Sequence, residues 1–249
     1  TILAILFTLT IQAQWSYSGN RYWTPNGNTA SGDYSTAMGI SSTASGDNST
    51  AMGYITTATG IYSTAMGGGS LASAPTSTAM GYNTIASGNN STAMGGQSTA
   101  SGNNSTAMGS NTLASGEKSI AMGESTAATG DFSTAMGEST AATGDFSTAM
   151  GSNTTASGYN STAMGYITTA SGMFSTAMGW ETTASDYSST VIGQYNSSGS
   201  TATSATSFST LAPAFVIGNG VDASNKSDAF SVLFNGTTTI AGPVTATSF

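Results

Sequence analysis

Residues 35–48 read Ser-Thr-Ala-Met-Gly-Ile-Ser-Ser-Thr-Ala-Ser-Gly-Asp-Asn, and the fold is decided by how the chain repeats this stretch. The opening pentad returns at Ser49, Ser63, Ser77, Ser91, Ser105, Ser119, Ser133, Ser147, Ser161, Ser175 and Ser189. That makes twelve copies, each 14 residues after the last, with no residue inserted or lost. Two copies vary: Ile120 replaces Thr, and Val191-Ile192 replace Ala-Met. Residues 123–136 and 137–150 are identical, which marks duplication of a whole unit. Surface loops of globular domains tolerate insertions. An array that admits none requires every turn to stack in register on the next.

Each unit divides into two similar halves, Ser35–Gly39 and Ser42–Gly46, each followed by two variable residues. Each half reads as a short strand ending in a corner, where glycine permits unusual backbone angles. Asp47, Asn48, Pro75, Asn89, Asn90 and Asp131 are corner residues that suit turns. Side chains alternate between two faces of a strand. One alternating set, Ser35, Ala37, Gly39, Ser42, Ala44 and Gly46, is shared by both halves and is expected to face a common interior too narrow for larger groups. The serine hydroxyls there are expected to hydrogen-bond to each other or to the backbone. The outward set differs between halves. The second half shows Thr43 and Ser45. The first half shows Thr36 and, one residue pair on, the column Met38, Met52, Met66, Met80, Met94, Met108, Met122, Met136, Met150, Met164, Met178 and Ile192.

With turns about 4.8 Å apart, this stack is a rod roughly 55 Å long with an apolar column along one side. An exposed apolar stripe of that length marks an interface. Burying each Met contributes roughly 1.5–3 kcal/mol before entropy is counted, and an interior of Ala and Gly cannot receive it. The face carrying Thr36 and the Met column is therefore expected to pack against copies of the same chain.

Composition closes off several function classes. Only 6% of residues are charged, the net charge is −8, and Arg21, Lys118 and Lys226 are the only cations. Nucleic-acid binders need clustered Lys and Arg to displace counterions, and an anionic membrane would repel this chain. The chain has no Cys and no His. No disulfide, thiolate nucleophile, Ser-His-Asp triad or Cys/His zinc site can form. No cofactor, metal site or catalytic residue is expected, and a regular rod offers no cleft for an acid/base pair. The reading is non-enzymatic.

Four segments are expected. Residues 1–13 read as the remainder of an export signal: Ile2 to Ile11 is apolar but too short to span a bilayer, and Ala13 suits cleavage. Residues 14–28 hold Trp15, Tyr17, Tyr22 and Trp23 and read as a cap over the open end of the stack, with a sugar-binding platform as the alternative. Residues 29–193 form the repeat array. Residues 194–249 lose the period and read as a small β-rich neck or connector, with strands at Ala214–Gly218 and Ala229–Phe234 and a turn at Asn235-Gly236 before Thr237–Ile240.

The motif S-x-A-x-G-x-x-[ST]-x-A-x-G-x-x resembles the head repeat of the YadA-like trimeric autotransporter adhesins. Thr36 and Met38 stand where that family commonly has Val and Ile, and Val191-Ile192-Gly193 comes closest to its form. The resemblance covers residues 29–193. It implies an all-β, parallel β-solenoid of the left-handed β-roll type, with about 14 residues and two short strands per turn. It also implies a homotrimer in which the Thr36/Met38 face meets its copies, and a secreted, cell-surface location. The coiled-coil stalk and membrane-anchor strands of a complete adhesin are not read in this stretch.

The expected function is an extracellular adhesin head binding a protein or glycan ligand through many repeated contacts. The corner aromatics Tyr54, Tyr82, Tyr166 and Trp180 are the candidate ligand face, Tyr166 and Trp180 at equivalent places in adjacent turns; packing over the corners is the plainer reading. Phe132, Phe146 and Tyr159 occupy other corners. The alternatives are a tail-fibre shaft and an ice-binding solenoid. Against the latter, the outer Thr column is broken by Leu71, Ile85, Leu113, Ala127 and Ala141. Stacked acidic corners (Asp33 over Asp47, Glu124 over Glu138, Asp131 over Asp145) read as solvated charge rather than as Ca²⁺ sites. Asn-x-Ser/Thr triplets at Asn48, Asn90, Asn104 and Asn160 follow from Asn at corners and Ser opening each repeat.

Overall fold

The computed structural model describes residues 16–17, 22–23 and 27–245. The export-signal reading of residues 1–13 lies outside the described residues, as do Trp15 and the side chains of the expected cap. Two parallel sheets form the walls of a solenoid. Twelve five-residue strands, from Thr36–Ile40 to Thr190–Gln194, stack into one wall. Twelve two-residue strands, from Thr29–Ala30 to Thr183–Ala184, stack into the other. Each residue pairs with the one 14 positions away, as in Met80 with Met94 and Ala86 with Ala100. The inter-turn bonds are uniform: Thr36 N–H donates to the Ser49 carbonyl at 2.9 Å, and Thr43 N–H to the Thr56 carbonyl at 2.8 Å.

Between the walls lies a single file of alanines. Ala37, Ala44 and their equivalents are fully buried through Ala184, and the file ends on Val191 and Val216. The Ser35 and Ser42 columns are buried as expected. Their hydroxyls behave less uniformly than expected. Ser35 and Ser133 donate to the Gly32 and Gly130 carbonyls at 2.6 Å, and Thr56 donates to Ser42 Oγ at 2.9 Å. At Ser49, Ser63, Ser91 and Thr112, among others, the hydroxyl has no partner among the described residues.

The glycines depart from expectation in an instructive way. Gly39 and its equivalents do not face the interior; they are exposed or half-buried and hold φ between 96° and 134°, turning the strand end outward. Gly46 and its equivalents are buried, and no positive φ occurs among them. They are glycine for want of space: a methyl on Gly46 would fall on the Gly60 carbonyl oxygen. The left-handed corner conformation belongs instead to two other columns, residues 41 and 48 and their equivalents, and most are not glycine. Even β-branched Ile55, Thr76 and Ile167 adopt it, with φ of 53° to 55°. That conformation is costly for such residues. It is held by bonds to the preceding turn, Ile55 N–H to Ile40 O at 2.9 Å and Ile167 N–H to Ser152 O at 2.9 Å.

Both ends of the short-strand wall are closed by asparagine. Asn28 and Asn196 stand in the Ser42 column, at its two extremes. Asn28 Oδ1 accepts the Ser42 N–H at 2.8 Å, and its Nδ2 donates to Gly39 O at 2.7 Å. Asn196 Oδ1 accepts the Thr183 N–H at 2.7 Å, and its Nδ2 donates to the Thr183 and Ser198 carbonyls. Each side-chain amide takes the place of a missing turn's peptide. At the C-terminal end Asp186 occupies the buried glycine column, one strand before the array ends at Gln194. Its Oδ1 accepts the N–H groups of Thr203 and Ser204 at 2.5 and 2.6 Å and so anchors the segment that covers the stack.

The long-strand wall does not stop where the 14-residue spacing does. Pro213–Asn219 pairs in parallel with Thr190–Gln194, Val216 on Val191 and Gly218 on Gly193. Gly218 follows Gly193 by 25 residues rather than 14, so the period is lost while the register continues. Asp228–Leu233 and Thr238–Ile240 then add antiparallel, joined through the turn at Asn235-Gly236. At the other end Tyr22–Trp23 pairs with Thr36–Ala37 and, antiparallel, with Ser16–Tyr17.

Two outcomes test this account. Gly102→Ala, whose methyl would strike the Gly116 carbonyl, is expected to destabilise by about 3 kcal/mol or more. Gly96→Ala, with open space around it, is expected to be nearly neutral in the same thermal unfolding series. Asn196→Ala leaves the Thr183 N–H and carbonyl unpaired and is expected to cost about 1–3 kcal/mol, read as faster amide exchange at Thr183 and Ser185 while the central turns keep their protection.

Candidate assembly and ligand surfaces

The long-strand wall carries two outward columns, Thr36 and Met38 with their equivalents. The register places Met directly on Met in eleven consecutive turns, from Met38 to Met178, and then on Ile192. Every member of this column is half-buried in the single chain: each thioether is shielded by the rungs above and below and open on its outer side. Thr36 and its equivalents flank the column in the same state, except the exposed Ile120. All thirteen residues expected at an assembly face thus share one surface. Met is polarizable and adaptable and suits a contact surface.

The short-strand wall has a different surface. Its Thr43 column is mostly half-buried and its Ser45 column mostly exposed. Ile85 and Leu113 stand exposed in the Thr column and interrupt its polarity.

The four corner aromatics split into two kinds. Tyr54 and Tyr82 are about 60% exposed and separated by Gly68 in the rung between them. Tyr166 and Trp180 are paired rungs, as their spacing implies, with ring centroids 6.4 Å apart at 68°. Trp180 also meets Tyr195 at 5.5 Å, and the Tyr195 hydroxyl donates to Glu181 Oε1 at 3.2 Å. Burial first, and then that hydrogen bond, raises the Tyr195 hydroxyl above its usual range. Tyr166 and Trp180 therefore form an exposed aromatic pair at the C-terminal end of this corner, backed by the buried Tyr195.

The opposite corner holds a longer aromatic ladder than the sequence reading drew together. Phe132 stacks on Phe146 at 5.0 Å, and Phe146, Tyr159, Phe174 and Tyr187 follow edge-to-face at 5.4–5.7 Å. Lys118 Nζ sits 4.6 Å from the Phe132 ring and closes the ladder. Phe132, Phe146 and Phe174 stand in one corner column, Tyr159 and Tyr187 in its neighbour, so a single-column reading misses the alternation. The rings meet turn on turn while Phe132, Phe146, Tyr159 and Phe174 stay 41–44% exposed, so the ladder ties successive turns together at the surface.

The acidic corners are engaged with backbone. Asp47 Oδ1 accepts the Asp33 N–H at 2.9 Å, Asp131 accepts that of Glu117 at 2.8 Å and Asp145 that of Asp131 at 3.0 Å. Each carboxylate ties its turn to the one before. In the C-terminal segment Asp222 is held below the usual carboxylate range, chiefly by the Asn225 side-chain amide and then by the Ser224 N–H. Among the described residues no group of three or more acidic side chains converges and no pocket indents the surface. Among the described residues no helix is long and apolar enough to cross a membrane.

Seven stretches of the chain, within residues 30–196, match the profile of the YadA head domain repeat: 30–54, 58–84, 86–112, 114–140, 142–166, 156–182 and 170–196. No curated protein gives a significant match.

Proposed function

Since the chain belongs to the family of YadA head-domain repeats, the heads of trimeric surface adhesins, we propose that it is the rod-shaped head of a cell-surface adhesin. It assembles as a homotrimer through its Thr/Met face and presents its corners to an extracellular protein or glycan. The observation that carries this reading is the unbroken column from Met38 to Ile192, half-buried in the single chain and aligned rung on rung. A neighbouring copy supplies the second half of that burial, at roughly 1.5–3 kcal/mol per fully buried Met before entropy. The ligand-facing groups are Tyr166 and Trp180, backed by the buried Tyr195, with Tyr54 and Tyr82 as isolated contacts along the same corner. Three copies of a shallow aromatic surface on one rigid rod bind by avidity rather than by a single deep site. The reading is non-enzymatic: a rod of narrow turns brings no nucleophile, base and orienting group together.

Light scattering on the full chain is expected to give three times the single-chain mass. Met94→Ser, Met108→Ser and Met122→Ser together are expected to shift it to the single-chain mass while the β-strand circular dichroism spectrum is kept. A parent that stays monomeric removes the trimer from the reading. For the ligand, Tyr166→Ala with Trp180→Ala is expected to lower retention on printed glycan and matrix-protein panels by about tenfold or more with the assembled mass unchanged. Equal retention by parent and variant would move the ligand face elsewhere.

A further inference from the structure

The outward face of the long-strand wall continues beyond the repeats and changes character there. Thr190 and Ile192 pair with Phe215 and Ile217. Phe215 and Ile217 pair with Val232 and Phe230, and Phe230 pairs with Ile240. Side chains alternate across a sheet, so these five residues prolong the Thr/Met face. Burial agrees. Val216 and Ser231, which point the other way, are buried, and Ala212 is buried with them on that side. Phe215, Ile217, Phe230 and Val232 remain half-buried, and Ile240 is 48% exposed. The Phe215 and Phe230 rings already meet at 6.2 Å, 62° apart. The chain thus covers one side of its C-terminal meander and leaves the larger apolar groups on the other.

The repeats have a property that makes this extension necessary. Along the array the outward face is Thr and Met in nearly every rung. Two copies packed through such rungs meet the same side chains again after sliding by one turn, about 4.8 Å. Identical rungs provide adhesion between copies but almost no axial register, as in any strand pairing without a distinguishing pattern. Beyond the C-terminal end of the array, the meander continues this face with side chains that do not repeat.

We propose that Phe215, Ile217, Phe230, Val232 and Ile240 pack against the same residues of the other copies and set the axial register of the assembly. The occupant of this patch is a second copy of the chain, because the patch is continuous, strand by strand, with the Met face and points the same way. The proposal rests on the Met-face assembly argued above, and its test separates the two.

The chain has no cysteine, so reporters can be placed without background. Full-length chains carrying Met94→Cys and chains carrying Met122→Cys are co-expressed, oxidised and mapped by peptide mass spectrometry. The two positions lie two turns apart, about 10 Å, too far for a disulfide between copies in register. The expected parent result is like-with-like links only. In the Phe215→Ser, Phe230→Ser background the trimer mass is expected to persist while mixed 94–122 links rise at least tenfold. Collapse of that variant to folded monomers also places the patch in the interface. Should the double variant lose its strand spectrum, Ile240→Ser, nearly half exposed in the single chain, carries the test with the same expected rise. A variant that stays trimeric with like-with-like links only overturns the proposal and leaves the Met-face assembly standing. A parent that is monomeric overturns both.

Discussion

Glycine against carbonyl is the contact on which the solenoid depends. At Gly46, Gly88, Gly102 and the other glycines of their column, which only Ala74 and Asp186 interrupt, the α-carbon lies so close to the next turn that a methyl group would fall on a backbone oxygen. Turn spacing is fixed by the inter-strand hydrogen bonds and cannot stretch to admit one. The same closeness explains why the array carries no insertion. Once two successive turns touch backbone to backbone, an added residue must leave the stack altogether. In the last turn of the array Asp186 takes the glycine's place, and its carboxylate holds the segment that follows the final strand Thr190–Gln194.

A wall-to-wall distance set by glycine leaves room only for small side chains between the sheets: alanine, serine and threonine along the array, with valine at its end. Such an interior buries little apolar area per residue, and hydrophobic stabilisation scales with that area. The large apolar side chains are accordingly outside: Met and Ile on the long-strand wall, Phe, Tyr and Trp at the corners. The corner rings stack along the rod and reinforce turn-to-turn contact within one chain. In the Met column the register sets each Met on the Met of the next turn, or on Ile192 at the end. The chain thus holds its shape by inter-turn backbone bonds, and its longest apolar column lies on an outer face.

Repetition made most of this readable from the sequence. A single alternating pentad is a weak strand signal, but twelve copies without a slip fix the period, the two walls and the assignment of Ala37, Ala44, Thr36 and Met38 to their faces. The features that escaped occur once or depend on backbone detail. Gly39 and Gly46 are the same residue at matching places in similar halves; a methyl at either would strike the next turn, and only coordinates show that Gly39 needs a positive φ as well. The left-handed corners are held by inter-turn hydrogen bonds strong enough to impose that conformation on Ile55 and Ile167, so no composition signal marks them. Asn28 and Asn196 look like ordinary corner asparagines until their column is seen to end at each. The continuation through Pro213–Asn219 was hidden because an excursion of eleven residues breaks the spacing while Phe215-Val216-Ile217-Gly218 keeps the pattern of the pentad. For the candidate site, the Met face was legible because it repeats. The Tyr166–Trp180–Tyr195 cluster was legible only in part, since Tyr195 joins it from a neighbouring column.

The two walls also end differently, and strand length is the reason. A two-residue strand at the end of its sheet leaves little more than one residue's N–H and carbonyl without a partner, and a single side-chain amide can answer both. Asn196 does so for Thr183. A five-residue strand leaves more than any one side chain can reach, so the long-strand wall can be closed only by another strand. Pro213–Asn219 supplies it, seven residues long, and is itself covered by Asp228–Leu233 and then by Thr238–Ile240. The reversal to antiparallel pairing lets short turns replace the full circuit of a solenoid turn. It also shortens the last strand to three residues, which leaves only a small open edge. Ending the long wall therefore requires sequence that does not repeat, and that sequence necessarily shares the outward face of the Met column. The need to terminate one sheet places distinctive side chains where a uniform column has none.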